Sequence, residues 1–278
     1  MGVVGRRVVR YQSAGAGVEA EAFPRATPRW HARYLGATPE DDAARGRLRA
    51  DPVLAPALAA HEGLRILRQE PWETTAAFLV SANNNVLRIE GILRALARRG
   101  DALGSPWGER HAFPDAATVA RLPESRLRAL GLGYRAPFLR ATARLVASGD
   151  VDLDSLVGAP LPEVREALLA LPGVGPKVAD CIALFALEAG GAFPVDRWVL
   201  RAVSEAFFAG REVKPREAEA FARARWGDDA GLAQQFLFHA VRTRANAPGA
   251  RRLSATQNDH QGQERVARSA PSWTRSSP

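Results

Sequence analysis

The chain has 278 residues, and its hydrophobic content of 46% fits a globular core and excludes wholesale disorder. Its formal net charge of +8 favours a polyanionic partner, while its single cysteine, Cys181, excludes a disulfide framework and any zinc site or iron–sulfur cluster built from four cysteines. The sequence has no apolar run of membrane-spanning length and no secretory-type apolar stretch near its N-terminus, so we expect a cytoplasmic protein, nucleoid-associated if bacterial, without membrane contact.

Lysine is rare in this chain. Of the 38 basic residues, only Lys177 and Lys214 are lysines, and the others are all arginines. A lysine amine can lose its proton and attack as a nucleophile, whereas a guanidinium stays protonated and cannot form a Schiff base. Each lysine therefore raises the question of whether its site needs an amine.

The chain begins with a predicted β region, residues 1–36. Within it, VVRYQ and VEAEAF flank SAGAG, which predicts one short hairpin with a glycine-containing turn. Residues 37–248 then show apolar residues at helical spacing, which predicts an all-α domain. Helices are expected over 73–96, 136–146, 161–171, 177–187, 196–208 and 230–241. Residues 249–278 are rich in Arg, Ser, Gln and Pro, which predicts a disordered tail.

The most informative segment is residues 160–198, in which two amphipathic helices are joined by LPGVG. Glycine lets the backbone turn tightly and approach a ligand closely, and Pro176 suits the first turn of the second helix. The free amides of residues 173–175 would form an anion site at that helix N-terminus, suited to a DNA phosphate. This pattern resembles the helix–hairpin–helix motif, here over 160–188, which on its own could serve as a non-catalytic DNA clamp.

Lys177 and Asp196 add chemistry to this motif. Lys177 falls in the first turn of the second helix, where the positive helix end and partial burial would favour the neutral amine. Asp196 stands at the expected N-cap of the next helix, which would keep it ionised. An amine beside a carboxylate suits attack at a sugar C1′ that develops oxocarbenium character. The alternatives are a solvated lysine at a helix end and an aspartate that only caps a helix.

The chain resembles the helix–hairpin–helix DNA glycosylase superfamily, and within it the 8-oxoguanine DNA glycosylases. The motifs that carry this resemblance, over about residues 69–238, are RQEPWET, SANNNVLRIEG, GLGYRAPF, LPGVGPKVADC, PVDRWV and AQQFLF. The resemblance implies two helical subdomains flanking a DNA cleft, preceded by a truncated β region. It also implies a monomeric glycosylase/AP lyase that removes 8-oxoguanine opposite cytosine from double-stranded DNA, through a lysine Schiff base and β-elimination, without a required cofactor.

The resemblance assigns roles to individual residues. Lys177 would be the nucleophile and Asp196 the carboxylate that supports base loss. The other matched residues are Cys181, Gln234 and Phe238 in the damaged-base pocket; Asn83, Arg88, Tyr134, Arg135, Gly173, Gly175 and Arg197 at the opposite base and the DNA; and Leu169, Leu171 and Val174, whose backbone carbonyls would hold a structural monovalent cation. Without the resemblance, the asparagine run would be read as a polar turn, and the cysteine and the aromatic residues as core packing.

Several departures from the family pattern leave the lesion specificity open. The usual N-terminal antiparallel sheet is expected to be reduced to a single hairpin over residues 1–24. Many relatives have a histidine after the aspartate, where this chain has Arg197, and Val241 stands where relatives carry an acidic residue. The alternatives are therefore a glycosylase for another damaged purine, and a non-catalytic or inactivated DNA-binding protein. Lys177 argues against a monofunctional alkylbase glycosylase, because those relatives lack the lysine.

Overall fold

A computed structural model describes residues 1–15 and 17–246, with only the backbone described for 244–246, so the predicted tail over 249–278 lies outside the described residues. The chain opens with a three-stranded antiparallel sheet in the order β1 (Gly2–Val4), β2 (Arg7–Ala14) and β3 (Gly17–Phe23). Strands β2 and β3 form the predicted hairpin. The prediction of a single hairpin over 1–24 is wrong, because β1 pairs with the other edge of β2. A three-residue strand is too short to show an alternating pattern.

The predicted β region also contains a helix, α1 (Pro28–Tyr34). Thr27 caps it by accepting a hydrogen bond from the Trp30 amide at 3.2 Å. Tyr11 of β2 stacks on Tyr34, with ring centroids 6.0 Å apart. Aromatic packing therefore attaches the sheet to the first helix of the chain.

Helices dominate the rest of the described chain, as predicted. They are α2 (Pro39–Arg49), α3 (Ala55–Ala60), α4 (Pro71–Ser81), α5 (Val86–Ala97), α6 (Ala116–Arg121), α7 (Glu124–Leu127), α8 (Ala136–Ser148), α9 (Leu161–Leu169), α10 (Pro176–Ala186), α11 (Arg197–Phe207), α12 (Pro215–Trp226) and α13 (Ala230–Asn246). A short hairpin, β4 (Ala102–Leu103) with β5 (Arg110–His111), interrupts them. Within residues 1–15 and 17–246, no helix has both the length and the apolar character needed to cross a membrane.

The helix expected over 73–96 is in fact two helices, α4 and α5. Asn83 adopts a left-handed backbone conformation with φ 48°, which breaks the helical path. The Asn85 side chain then starts α5 by accepting a hydrogen bond from the Arg88 amide at 3.0 Å. The apolar periodicity continues across this break, so periodicity alone could not reveal it.

The helices form two hydrophobic cores. The first lies among α4–α10 and includes Ile182, while the second joins α2 and α3 to α11–α13 and includes Phe236. The chain crosses from one core to the other between Ala192 and Phe193, which are 0% and 1% exposed. Helix α10 therefore belongs to the first core, and α11, which follows it directly, belongs to the second.

Candidate active site

The turn between α9 and α10 requires glycine at Gly173. Its φ of 82° lies in the left-handed region, and an added Cβ would lie 2.9 Å from the side chain of Phe138 on α8. Gly175 is the N-cap of α10, in an extended conformation, and no side chain among the described residues caps this helix. The first-turn amides of α10 are therefore open to an anion, as the sequence predicted.

A buried ion pair fastens the two helices of this hairpin. The guanidinium of Arg165 on α9 donates to both carboxylate oxygens of Asp180 on α10, at 2.7 and 2.8 Å. Asp180 is only 2% exposed, and Arg165 also lies 3.7 Å from Glu219 of α12. A bidentate pair of this kind sets the alignment of α9 and α10. Glu219 links this pair to α12, which belongs to the second core.

Lys177 is the second residue of α10. Its side chain is exposed, so the expected partial burial is wrong. The buried residues of α10 begin at Ala179 and Asp180, which follow it. The N-terminus of the helix thus projects beyond the first core, and the amine meets solvent.

Cys181 lies one turn after Lys177 on the same face of α10 and is 4% exposed. Burial raises the pKa of its thiol to about 11; the charge of Lys177 opposes the rise, and those of Asp180 and Asp196 add to it. Such Coulomb effects weaken with distance, so Lys177 and Asp196 both lie near this thiol. The structure therefore brings together two predicted catalytic residues that belong to different cores.

Asp196 is the N-cap of α11, which confirms that part of its prediction. Its Oδ1 accepts hydrogen bonds from the amides of Trp198 at 2.9 Å and Val199 at 2.8 Å. No other hydrogen bond or ion pair to this half-buried carboxylate occurs among the described residues, which leaves Oδ2 for a substrate. The two amides fix the carboxylate in position.

Gln234 of α13 is 4% exposed, and its side-chain amide donates to the carbonyl of Pro194 at 3.1 Å. Its carbonyl oxygen accepts from the side chain of Gln235. Gln234 thus stabilises the loop that leads to Asp196. Phe238, one turn further along α13, is half-buried against the second core. The base pocket between Cys181 and Phe238 stays a prediction.

Arg135 is almost fully buried, at 5% exposure, and holds the turn between α4 and α5. Its Nε donates to the carbonyl of Ala82 at 2.7 Å, its Nη2 to that of Asn83 at 2.6 Å, and its Nη1 only weakly to that of Leu132 at 3.5 Å. Tyr134 lies beneath this guanidinium, whose carbon is 4.4 Å from the ring centroid, and remains 51% exposed. The ring of Tyr134 is therefore exposed to solvent, while its contact with the Arg135 guanidinium fixes its position.

Asn83, Arg88 and Arg197 have exposed side chains. Arg88 donates from Nη2 to the carbonyl of Gly131 at 3.1 Å, and this contact joins the first turn of α5 to the segment that carries Tyr134. The guanidinium carbon of Arg197 lies 5.2 Å from the centroid of the Trp198 ring. Asn83, Arg88 and Tyr134 therefore share one exposed surface, which the buried Arg135 holds together, whereas Arg197 stands beside Asp196.

The predicted cation ligands lie around the hairpin turn. The carbonyl of Leu171 accepts from the Val174 amide at 3.1 Å, and Leu169 ends α9. Within residues 1–15 and 17–246, no group of three or more His, Cys, Asp or Glu side chains could hold a metal ion. A cation at the hairpin would therefore depend on backbone carbonyls, which suit hard monovalent ions.

Sequence reasoning missed Arg165 and Asp180. A signal was present, because Asp180 is a lone acidic residue in the apolar run VADCIALFA of α10. A charge at such a position is almost always paired when it is buried. The sequence could not have shown that its partner lies on α9.

Comparison with known proteins identifies the family of this chain. A sequence profile described as "HhH-GPD superfamily base excision DNA repair protein" matches residues 76–227, more than half of the chain. The N-glycosylase/DNA lyase OGG1 of Arabidopsis thaliana is 40% identical over 194 residues, 65% of this chain and 53% of that protein. A protein of Methanothermobacter thermautotrophicus named "Probable N-glycosylase/DNA lyase" is 33% identical over 216 residues, 69% of this chain and 68% of that protein. The chain thus spans about half the length of the plant relative.

A solved structure shows the same fold. The 8-oxoguanine glycosylase/lyase of Clostridium acetobutylicum, in complex with double-stranded DNA containing cytosine opposite 8-oxoguanine, aligns with a TM-score of 0.79 at 29% identity. The alignment covers 87% of this chain and 84% of that one. It confirms the helical fold class predicted from the sequence.

Proposed function

Since the chain belongs to the HhH-GPD superfamily of base excision DNA repair proteins, we propose that it is a bifunctional DNA glycosylase/AP lyase that removes 8-oxoguanine paired with cytosine. One observation carries the proposal: the amine of Lys177, in the first turn of α10, and the carboxylate of Asp196, held by two amides at the start of α11, both influence the pKa of the Cys181 thiol. The names of the similar proteins support the reaction class, because one is an N-glycosylase/DNA lyase, one a "Probable N-glycosylase/DNA lyase" and one an 8-oxoguanine glycosylase/lyase.

In the first chemical step, the neutral amine of Lys177 donates its lone pair to C1′ of the lesion nucleotide. The bond between C1′ and N9 of the base breaks, and its electron pair leaves with the base, which takes up a proton. The sugar gains positive charge in the transition state, and the carboxylate of Asp196 stabilises it. Because the amides of Trp198 and Val199 already hold that carboxylate, little reorganisation is needed.

In the second step, the bond between C1′ and O4′ breaks, and the amine of Lys177 becomes a Schiff base at C1′. A proton then leaves C2′, its electron pair forms a double bond to C3′, and the phosphate at C3′ departs. This β-elimination nicks the strand. Water hydrolyses the Schiff base and restores the lysine.

The remaining predicted residues bind the DNA and the lesion. The amides at Gly173 and Gly175 hold a phosphate at the N-terminus of α10. Base flipping delivers the lesion to a pocket bounded by Cys181, Gln234 and Phe238.

The cytosine left in the helix meets a different group of residues. Asn83, Arg88 and Arg135 read its exposed edge, and Tyr134 fills the gap in the duplex. In Arg135, Nη1 is the nitrogen that turns most readily to a base, because its hydrogen bond to the Leu132 carbonyl is long at 3.5 Å. Arg197, exposed beside Asp196, contacts the DNA backbone.

Three further features belong to the proposal. A monovalent cation is held by backbone carbonyls of Leu169, Leu171 and Val174. Its positive charge would also attract a phosphate bound at the hairpin. The protein acts as a monomer, and it works in the cytoplasm, where the chromosome of a bacterium is accessible.

Borohydride trapping tests the proposal directly. The reagent reduces a Schiff base to a stable amine, so a duplex containing 8-oxoguanine opposite cytosine becomes covalently joined to the protein. We expect an adduct with the wild type and none with Lys177→Gln. The matched control is Lys214→Gln, which removes the only other lysine and should leave the adduct intact.

Two outcomes would contradict the proposal. A folded wild-type protein that forms no adduct with 8-oxoguanine or with an abasic site would be a non-catalytic DNA-binding protein. Trapping on an abasic site, without excision of 8-oxoguanine, would retain the lyase and point to another damaged purine.

A further inference from the structure

Leu87 has an unusual environment for a large apolar side chain. At 81% exposure it is the most exposed such residue in the described part of the chain, and its neighbour Val86 is 67% exposed. The later apolar residues of the same helix behave differently, since Ile92 and Leu96 are buried in the first core. The first turn of α5 therefore extends past the core and presents two apolar side chains to solvent.

This turn lies beside the segment that carries Tyr134. Arg88, adjacent to Leu87, donates to the carbonyl of Gly131 at 3.1 Å, and the hydroxyl of Tyr134 donates to the carbonyl of Ala82 at 3.2 Å. These contacts, with those of Arg135, tie the two segments into one surface. Leu87 is thus an exposed apolar side chain on a fixed backbone.

Arg88 supplies a positive charge beside Leu87. The first turn of α5 contains no acidic residue, and Arg88 within it is exposed. The nearby carboxylates are neutralised, because Glu90 pairs with Arg94 at 2.6 Å and Glu124 with Arg128 at 2.7 Å. An apolar ridge beside an exposed arginine is suited to the edge of a nucleic acid duplex, where a phosphate meets the guanidinium and bases or sugars meet the apolar atoms.

We propose that Leu87, flanked by Val86, packs against the strand opposite the lesion, at the nucleotide next to the unpaired cytosine. This inference rests on the proposed function, because it takes DNA as the occupant and places the cytosine at Asn83, Arg88 and Arg135. Leucine is among the side chains that proteins insert at base steps to hold a duplex open. Leu87 thereby supports the bent, unstacked duplex that base flipping requires.

The test uses the whole chain with Leu87→Ser, measured by fluorescence anisotropy against a duplex that carries a tetrahydrofuran abasic analogue opposite cytosine. We expect binding about tenfold weaker than that of the wild type, because an apolar contact with DNA is lost. The melting temperature should be unchanged, since the side chain is already in water. The matched control is Leu67→Ser, a leucine 37% exposed in the segment before α4, which should bind DNA as the wild type does.

A second measurement tests the assigned strand. 2-Aminopurine fluoresces more strongly when it is unstacked, so we place it beside the cytosine in one duplex and beside the abasic analogue in another. The wild type should brighten the probe beside the cytosine, and Leu87→Ser should brighten it much less. Equal brightening by both proteins, or a loss confined to the lesion strand, would overturn the inference.

The inference and the proposed function can fail separately. Wild-type affinity of Leu87→Ser, with borohydride trapping intact, contradicts the inference alone. A wild-type protein that binds the duplex and loses affinity with Leu87→Ser, yet forms no trapped adduct, upholds the inference and contradicts the lyase. A wild-type protein that binds no duplex contradicts both.

Discussion

The two lysines of the chain stand beside prolines at two helix starts, and the difference between these regions indicates why we propose only one of them as a nucleophile. Lys177 follows Pro176 in the first turn of α10, and Lys214 is the N-cap of α12, before Pro215. Both side chains are exposed. In local sequence and in contact with solvent, the two positions are therefore nearly equivalent.

Their surroundings differ. One turn after Lys177 is the buried thiol of Cys181, whose pKa responds to the charges of Lys177 and of Asp196, the residue that caps a helix of the second core. Near Lys214 is Glu217, whose pKa is lowered by the hydrogen bond from Arg211, in an ion pair exposed to water. Groups supplied by other elements, rather than the helix start itself, therefore distinguish Lys177 from Lys214.

The largest expected effect is on the rate of excision when each lysine is replaced by arginine. Lys177→Arg keeps the positive charge but removes the amine that can form a Schiff base. Single-turnover excision of 8-oxoguanine should fall by more than about a thousandfold, with DNA affinity retained. Lys214→Arg should excise at the wild-type rate. Retained excision by Lys177→Arg would mean that the two helix starts are equivalent after all.

The second largest effect should be a difference in stability between variants of the ion pairs at α10 and α12. Asp180→Ala leaves the Arg165 guanidinium without its buried partner and should lower the free energy of unfolding by about 3 kcal/mol. Glu217→Ala breaks the exposed pair with Arg211 and should leave it unchanged. Urea denaturation measures both. Equal stability of the two variants would show that the α10 pair is screened as fully as the surface pair.

The reactivity of the Cys181 thiol depends on the charges near it, including that of Lys177. Because burial raises the pKa of Cys181 to about 11, iodoacetamide at pH 8 should react about a hundredfold more slowly with the native protein than with the denatured one. Lys177→Gln removes a charge that lowers this pKa and should slow the reaction further, whereas Lys214→Gln should not. An effect of both lysines, or of neither, would place Cys181 away from Lys177.

The same raised pKa has a consequence for stability. The folded state binds the thiol proton more tightly than the unfolded state does, so this proton stabilises the folded protein. The stabilisation is fully present below the pKa of the thiol in the unfolded chain. It is lost as the pH rises toward about 11. The free energy of unfolding should therefore decline in alkali, and Cys181→Ala should show a shallower decline.

The smallest effect concerns the turns before the two helices. Gly173, before α10, and Gly210, before α12, both have left-handed backbones, with φ of 82° and 80°. An alanine at Gly210 would meet open space, but at Gly173 it would collide with Phe138 at 2.9 Å. Both substitutions should cost about 1 kcal/mol of backbone strain, with about 1 kcal/mol more at Gly173, measured by thermal unfolding. Equal losses would mean that Phe138 moves aside.

The helix–hairpin–helix region was predictable because its signals are local. The helices expected over 161–171, 177–187 and 196–208 are observed as α9, α10 and α11, with each end shifted by at most two residues. Glycine, proline and a capping aspartate act through the backbone within a few residues of themselves. Strand β1 and the break at Asn83 were missed, since a short strand and a single left-handed residue leave the apolar pattern nearly unchanged.

The sequence by itself determined the all-α class, the LPGVG hairpin with its open helix N-terminus, the cap at Asp196 and the position of the amine. Each of these depends on residues close together in the chain. Only the tertiary structure decided that the charge of Asp196 acts on Cys181, that Asp180 pairs with Arg165, and that Leu87 is exposed to water. These relations depend on how two separate cores pack, and packing joins residues whose separation in sequence carries no signal of their contact.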